Sequence, residues 1–132
     1  MKFKYKNIGG ALRPIIPVEI SYQDRSVRYE VLVDSGADKN IFDAEIGEIL
    51  NIDIEKGERG QVGGITGVLQ TLYAHPVEIN VGGYKYKTKV AFLRNMPAFG
   101  YGVVGQLGFF DFFIVKFDYL KESIELKERR NI

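Results

Sequence analysis

Residues 29–42 read YEVLVDSGADKNIF, running from Tyr29 to Phe42. Val31-Leu32-Val33 is a run of apolar or β-branched residues of the kind that forms a strand entering an interior. It ends on Asp34-Ser35-Gly36, then Ala37 and a second acid, Asp38. A carboxylate at the end of a buried strand is costly unless hydrogen bonds or a partner compensate it. Gly36 lets the chain turn tightly and lets another backbone come close, because it has no Cβ. Asp, Ser and Gly also favour turns through bonds to neighbouring amides. The apolar flanks set this stretch apart from a surface hairpin.

The second half of the chain echoes this pattern. Residues 101–113 read YGVVGQLGFFDFF, so Val103-Val104 runs into Gly105 as Val31–Val33 runs into Asp34-Ser35-Gly36. A helix-like segment, Leu107–Phe113, and a strand, Ile114–Asp118, are expected to follow. Between the halves lies GERGQVGGITGVLQ, Gly57–Gln70, with glycines at 57, 60, 63, 64 and 67. No Gly-Lys-Ser/Thr follows and no helix opens there, so neither a phosphate-binding loop nor a dinucleotide fingerprint fits. The stretch suits a β-hairpin with Ile65 at its tip, and such hairpins can serve as lids over clefts.

Most of the remaining chain reads as strand. Pro17–Tyr22, Arg28–Val33, Leu72–Val81 and Tyr84–Leu93 are rich in Val, Ile, Tyr, Phe and Thr. Gln23-Asp24 and Gly82-Gly83 punctuate them as tight turns. Lys85, Lys87 and Lys89 alternate with Tyr84, Tyr86 and Thr88, the period of a half-exposed strand. Besides Leu107–Phe113, one other stretch looks helical: Asp43–Leu50, with Ala44, Ile46 and Ile49-Leu50 near one side. The expectation is an all-β fold, mostly β with one or two short helices, in a single domain over residues 1–132.

Composition narrows the function classes. Eighteen basic residues balance 17 acidic ones, for a formal charge of +1, which gives no electrostatic case for nucleic acid or an anionic membrane surface. There is no cysteine, hence no disulfide framework and no thiolate metal site. His75 stands alone, and Asp34, Asp38 and Asn40 lack the full spacing of a calcium loop. No metal or cofactor is expected. No signal-like segment and no apolar run of about 20 residues is present, and the expected location is cytoplasmic.

The ordered set of motifs resembles the retropepsin-like (retroviral-type) aspartic proteases over roughly Arg13 to Leu126. It comprises V-L-V-D-S-G-A-D, the Gly-Gly-Ile hairpin, V-V-G, and a closing F-D…I-E-L at Phe117, Asp118, Ile124 and Leu126. The resemblance implies a closed β-barrel subunit of the acid-protease type. It also implies peptide hydrolysis by two carboxylates that share one proton. This chain has a single D-S-G, so the second carboxylate would be Asp34 of another copy, and a homodimer is implied.

Position by position, the resemblance makes Asp34 the catalytic acid and Ser35 the hydroxyl that braces the two active-site turns. Gly36 would offer its carbonyl to the substrate backbone. Ala37 and Asp38 would meet the substrate main chain, and Gly63, Gly64 and Ile65 would form a flap over an extended peptide. Val103 and Val104 would support the turn or line pockets. One departure concerns Gln106, which stands where viral members commonly carry an Arg that pairs with the acid at Asp38. Arg13, ahead of Pro14, either supplies that cation or is an ordinary surface residue. The alternative reading is a catalytically inactive member of the fold that binds peptides or dimerises.

Overall fold

The computed structural model describes residues 1–63, 67–96 and 100–129. The strands are β1 (Lys2–Lys4), β2 (Lys6–Ile8), β3 (Ala11–Arg13), β4 (Ile15–Tyr22), β5 (Arg25–Val33) and β6 (Ile41–Asp43), then β7 (Glu58–Gly63), β8 (Leu69–Val81), β9 (Tyr84–Leu93), β10 (Gly102–Val104), β11 (Phe113–Asp118) and β12 (Ser123–Glu128). One α-helix, α1 (Ala44–Ile49), and a 3₁₀ turn (Ile54–Lys56) follow β6. The fold is mostly β, as the sequence predicts.

Seven strands form one sheet in the order β4-β5-β10-β6-β9-β8-β7, and β4 also pairs with β8. Strand β8 makes this possible by changing partners along its 13 residues. Leu69–Ala74 pairs with β7, and Glu78–Asn80 pairs with β4. Pro76, which has no N–H to donate, lies at the changeover between those two pairings. The turn between β8 and β9 is Gly82-Gly83, with φ of +57° and +94°. Two successive positive φ values match a type I′ turn, whose twist fits a hairpin. Along β9, Lys85, Lys87 and Lys89 are exposed, while Val90–Leu93 is buried throughout where β6 and β8 flank it.

The main core gathers Ile16, Val18, Ile20, Val31, Val33, Phe42, Ile79, Phe92, Val104, Phe109 and Phe113 with their neighbours. A smaller cluster of Leu72, Ala91 and Leu93 carries Ile41 and Val62, which ties the β7–β8 hairpin to β6. At roughly 25 cal/mol for each Å² of apolar surface buried, these side chains supply the main favourable term in folding.

Two expectations change on contact with the structure. Asp43 caps α1, its carboxylate accepting the Glu45 N–H at 3.0 Å. Yet the buried face of the helix is Ala44 and Gly47 leading to Leu50, and Ile49 is exposed. An added Cβ on Gly47 would lie 2.5 Å from Ile54 Cδ1 and 3.1 Å from Phe92, so the helix approaches the sheet through its glycine. Residues 107–113 do not form a helix. They make successive turns in which Phe109 accepts from the N–H groups of Phe112 and Phe113. Gly108 at φ +102°, with its N–H held by the Asp111 carboxylate at 2.9 Å, interrupts the helical path.

The terminal segments form a separate three-stranded sheet, β1-β12-β11. The α-amino group of Met1 donates to the Leu126 carbonyl at 2.8 Å, and the Leu126 N–H donates to the Met1 carbonyl at 2.8 Å.

Candidate active site

Asp34 stands where β5 ends. Its N–H donates to the Val104 carbonyl at 3.0 Å, continuing the parallel ladder in which Val31, Leu32 and Val33 face Gly102, Val103 and Val104. The chain then turns through residues 34–40 and returns as β6. Strand β10 lies between β5 and β6, with Val103 opposite Ile41. The turn therefore leaves one strand and re-enters two places away, with a third strand wedged beneath it. Gly102 is needed for that wedge, since a Cβ there would lie 2.6 Å from the Tyr29 ring and 2.9 Å from Phe42. Burial pushes the Tyr29 phenol up to about 12, with its oxygen accepting the Asp43 N–H at 3.4 Å.

Within the turn, Asp34 Oδ1 accepts the Gly36 N–H at 2.9 Å, and the Asp34 carbonyl accepts the Ala37 N–H at 3.1 Å. These bonds hold the carboxylate in one orientation at the surface end of the strand. Asp34 is half-buried, whereas Ser35, Gly36 and Asp38 are exposed. The arrangement answers the cost noted for a strand-end carboxylate: the chain solvates it with its own amide and leaves one side open.

The second apolar-glycine motif clamps this turn from below. An added Cβ on Gly105 would sit 2.5 Å from the Ala37 carbonyl oxygen and 2.8 Å from that of Lys39. That contact is backbone against backbone, and only glycine permits it. The Gln106 N–H donates to the Ala37 carbonyl and the Leu107 N–H to the Asp38 carbonyl, both at 2.9 Å. The Gln106 side-chain amide donates to the Ser35 carbonyl at 2.7 Å. Gln106 thus grips the backbone of the turn and not the Asp38 carboxylate. Among the described residues, neither Asp38 nor Arg13 makes an ion pair; Arg13 lies opposite Lys6 in the β2–β3 ladder.

Asn40 joins the pieces, and the sequence reading assigned it no role here. Its side chain is 1% exposed and makes three hydrogen bonds. Oδ1 accepts the Gly105 N–H at 3.1 Å, and Nδ2 donates to the carbonyls of Lys89 and Gly108, each at 3.1 Å. Its backbone carbonyl accepts the Ala91 N–H at 2.9 Å. One amide therefore ties the carboxylate turn, the segment after β10, and β9 together. The signal available in the sequence was a polar residue directly ahead of Ile41-Phe42, a place where an unpaired amide would be expensive.

The other expected site residues fall as follows. Val103 is half-buried beneath the turn, and Val104 is fully buried in the core, so in the single chain Val104 supports the turn and lines no open surface. Gly63 ends β7 opposite Leu69 in the hairpin. Gly64 and Ile65 lie outside the described residues. His75 is a buried structural group. Its Nε2 faces the Ile54 carbonyl at 2.8 Å, so that nitrogen carries the proton and donates, linking β8 to the 3₁₀ turn. Concavities of about 310 and 520 Å³ open elsewhere, lined by residues such as Ser21, Pro76 and Lys87, or Lys6, Arg28 and Tyr29. Asp34 lines neither, and its turn stands open at the surface of one chain. Among the described residues, no helix is long and apolar enough to cross a membrane.

No protein-family model matches the chain, and no curated protein matches it. Among solved structures the chain is similar to EIAV protease complexed with the inhibitor HBY-793. The two share 25% identity with a TM-score of 0.53, over 70% of this chain and 81% of that one. The fold is retropepsin-like, that of a retroviral aspartic protease.

Proposed function

We propose that this chain is an aspartic endopeptidase whose active site forms when two copies bring their Asp34 carboxylates together. The observation that carries the reading is the placement of Asp34. It is oriented by its own turn, wedged by β10, clamped through Gly105 and Gln106, and left open on one side. Among the described residues Asp34 makes no ion pair, and the likeness to a retroviral protease supports a second copy as the source of a second carboxylate. We read residues 1–132 as one subunit, with the ring of β4, β5, β10, β6, β9 and β8 as its barrel.

Two carboxylates in contact hold one proton between them, because both cannot remain charged at that distance. The ionised member would take a proton from a water lying between the pair while that water's oxygen attacks the scissile carbonyl carbon. The protonated member would give its proton to the carbonyl oxygen, leaving a neutral tetrahedral diol. Collapse of the diol breaks the C–N bond as the protonated carboxyl group gives its proton to the amine nitrogen and the ionised one takes a proton from a diol hydroxyl. The carboxyl product keeps the water oxygen, and the pair again holds one proton. Ser35 would brace one turn against the other. Gly36, Ala37 and Asp38, all on the turn, would meet the substrate main chain. The β7–β8 hairpin, with Gly63, Gly64 and Ile65, would lie over an extended peptide whose side chains alternate between the two sides.

Incubation with a diverse peptide library from acidic to neutral pH, read by mass spectrometry beside Asp34→Asn, tests the reading. Cuts made by the parent and absent from the variant are expected. An absence of cuts at every pH from a folded dimer would overturn it in favour of an inactive peptide-binding module.

A further inference from the structure

Lys39 stands near the end of the Asp34 turn, and its backbone is fixed there on two sides. It bridges in parallel to Leu107, and its carbonyl oxygen would lie 2.8 Å from an added Cβ on Gly105. The next residue, Asn40, is buried and bonded through its whole side-chain amide. The freedom left to Lys39 is that of its own side chain, which reaches toward the β7–β8 hairpin. An added Cβ on Gly60 of β7 would lie 4.0 Å from Lys39 Nζ. Glycine at position 60 puts no side chain in the way of that amine.

A concavity of about 380 Å³ opens between the turn and β7, with Lys39, Glu58, Lys89, Leu107, Asp111 and Phe112 in its wall. Its charges are not equivalent. Glu58 pairs with Lys89 at 3.5 Å, and the Asp111 carboxylate accepts the Gly108 N–H at 2.9 Å. Lys39 is half-buried and makes no ion pair among the described residues, and the exposed Asp38 before it makes none either. A partly desolvated ammonium without a counter-charge favours an anion that can reach it, and a charge-assisted hydrogen bond is among the stronger ones. Leu107, 68% exposed, and the half-buried Phe112 give such an anion an apolar wall beside the amine.

We infer that Lys39 sets a side-chain preference: it receives an aspartate or glutamate of the bound peptide in the groove between the Asp34 turn and β7. The inference rests on the reading of Asp34 as half of a peptide-cleaving pair, and it adds to that reading the class of peptide taken. The other contacts proposed for the turn are with the substrate main chain, which every peptide shares. Side chains of an extended peptide alternate between two sides, so the one that meets Lys39 lies at a fixed distance from the cut. Its methylene stem would run along Leu107 and Phe112 while its carboxylate meets Nζ. A lysine or arginine at the same place would set cation against cation, so the site selects by repulsion as well as by attraction.

Matched peptides that carry Glu, Gln or Lys at one position, scanned outward from the cut, test this. Where the peptide faces Lys39, the parent should favour Glu over Gln at least about tenfold in kcat/KM, mainly through KM, and Gln over Lys. Lys39→Glu should reverse the order, and the reversal itself shows that the variant is folded. Lys39→Gln, the milder change, should cut Glu and Gln peptides alike. Lys85→Glu alters an exposed lysine of β9 outside the concavity and should keep the parent's order. No charge preference at any position, or the parent's order kept by both Lys39 variants, would overturn the assignment. Binding of the same peptides, fluorescein-labelled and read by anisotropy, separates this inference from the protease reading. Asp34-dependent cuts without a charge preference would leave the protease reading standing and remove Lys39 from it. Binding in the Glu, Gln, Lys order, reversed by Lys39→Glu but with no peptide cut, would leave the Lys39 groove and remove the protease. Neither binding nor cleavage would remove both.

Discussion

Removing the Asn40 side chain should loosen the carboxylate turn more than any change to the acids displayed on it. Asn40→Ala deletes three hydrogen bonds, to the Gly105 N–H and to the carbonyls of Lys89 and Gly108. The Gly108 carbonyl keeps the Thr88 hydroxyl at 3.0 Å. The buried Gly105 N–H loses its side-chain acceptor, and a buried donor left without a partner costs roughly 1–3 kcal/mol. With about 1 kcal/mol for each of the two bonds lost to the carbonyls, the expected destabilisation is about 3–5 kcal/mol. In a domain of this size that lowers the melting temperature by about 10–18 °C. Asp38→Asn is the control, because Asp38 is exposed and makes no ion pair among the described residues. It should stay within about 0.5 kcal/mol of the parent. Thermal melting with urea unfolding reads both. Asn40→Asp adds a sign test: it sets an acceptor against two carbonyls at neutral pH, and protonation restores a donor, so its deficit should shrink in acid. An Asn40→Ala melting temperature within about 3 °C of the parent would refute the reasoning.

Gly105→Ala should also destabilise by more than 2 kcal/mol or so, because the new methyl meets the Ala37 and Lys39 carbonyls, which cannot move without opening the turn; a parent-like urea midpoint would contradict the close approach. Glu55 is held below the usual carboxylate range by its hydrogen bonds to the Arg94 guanidinium, both at 2.8 Å. Its lowered folded-state value means that its contribution is present above the unfolded value and is lost as pH falls through the folded one. Glu55→Gln should therefore flatten the acid limb of a stability-versus-pH curve, and an unchanged limb would show that the pair is screened away at the surface.

The strand pattern was legible because β9 and β4 alternate or run apolar according to what flanks them, and because Gly82-Gly83 sits where a type I′ turn needs positive φ. The carboxylate turn was legible from the apolar run into Asp34 and the repeat at Val103-Val104-Gly105. Three features were not. Residues 107–113 look helical by apolar content, but Gly108 and Asp111 impose a turn that composition alone does not show. Ile49 lies near one side with Ala44, Ile46 and Leu50 by sequence spacing, while the helix meets the sheet through Gly47, whose missing side chain carries no hydrophobic signal. Asn40 and Gln106 act by side-chain bonds to backbone groups 49 to 71 positions away, and such pairings exist only once the strands are ordered.

The central claim is that one active site needs two Asp34 side chains, and subunit mixing tests it most directly. Parent and Asp34→Asn chains are mixed in equal amounts at constant total concentration, allowed to exchange, and assayed on one cleaved peptide. If each site takes an Asp34 from both copies, only parent–parent dimers are active, and activity falls to about one quarter of the unmixed parent. A fall to about one half would mean that each chain works with its own carboxylate alone, and the shared site would be wrong.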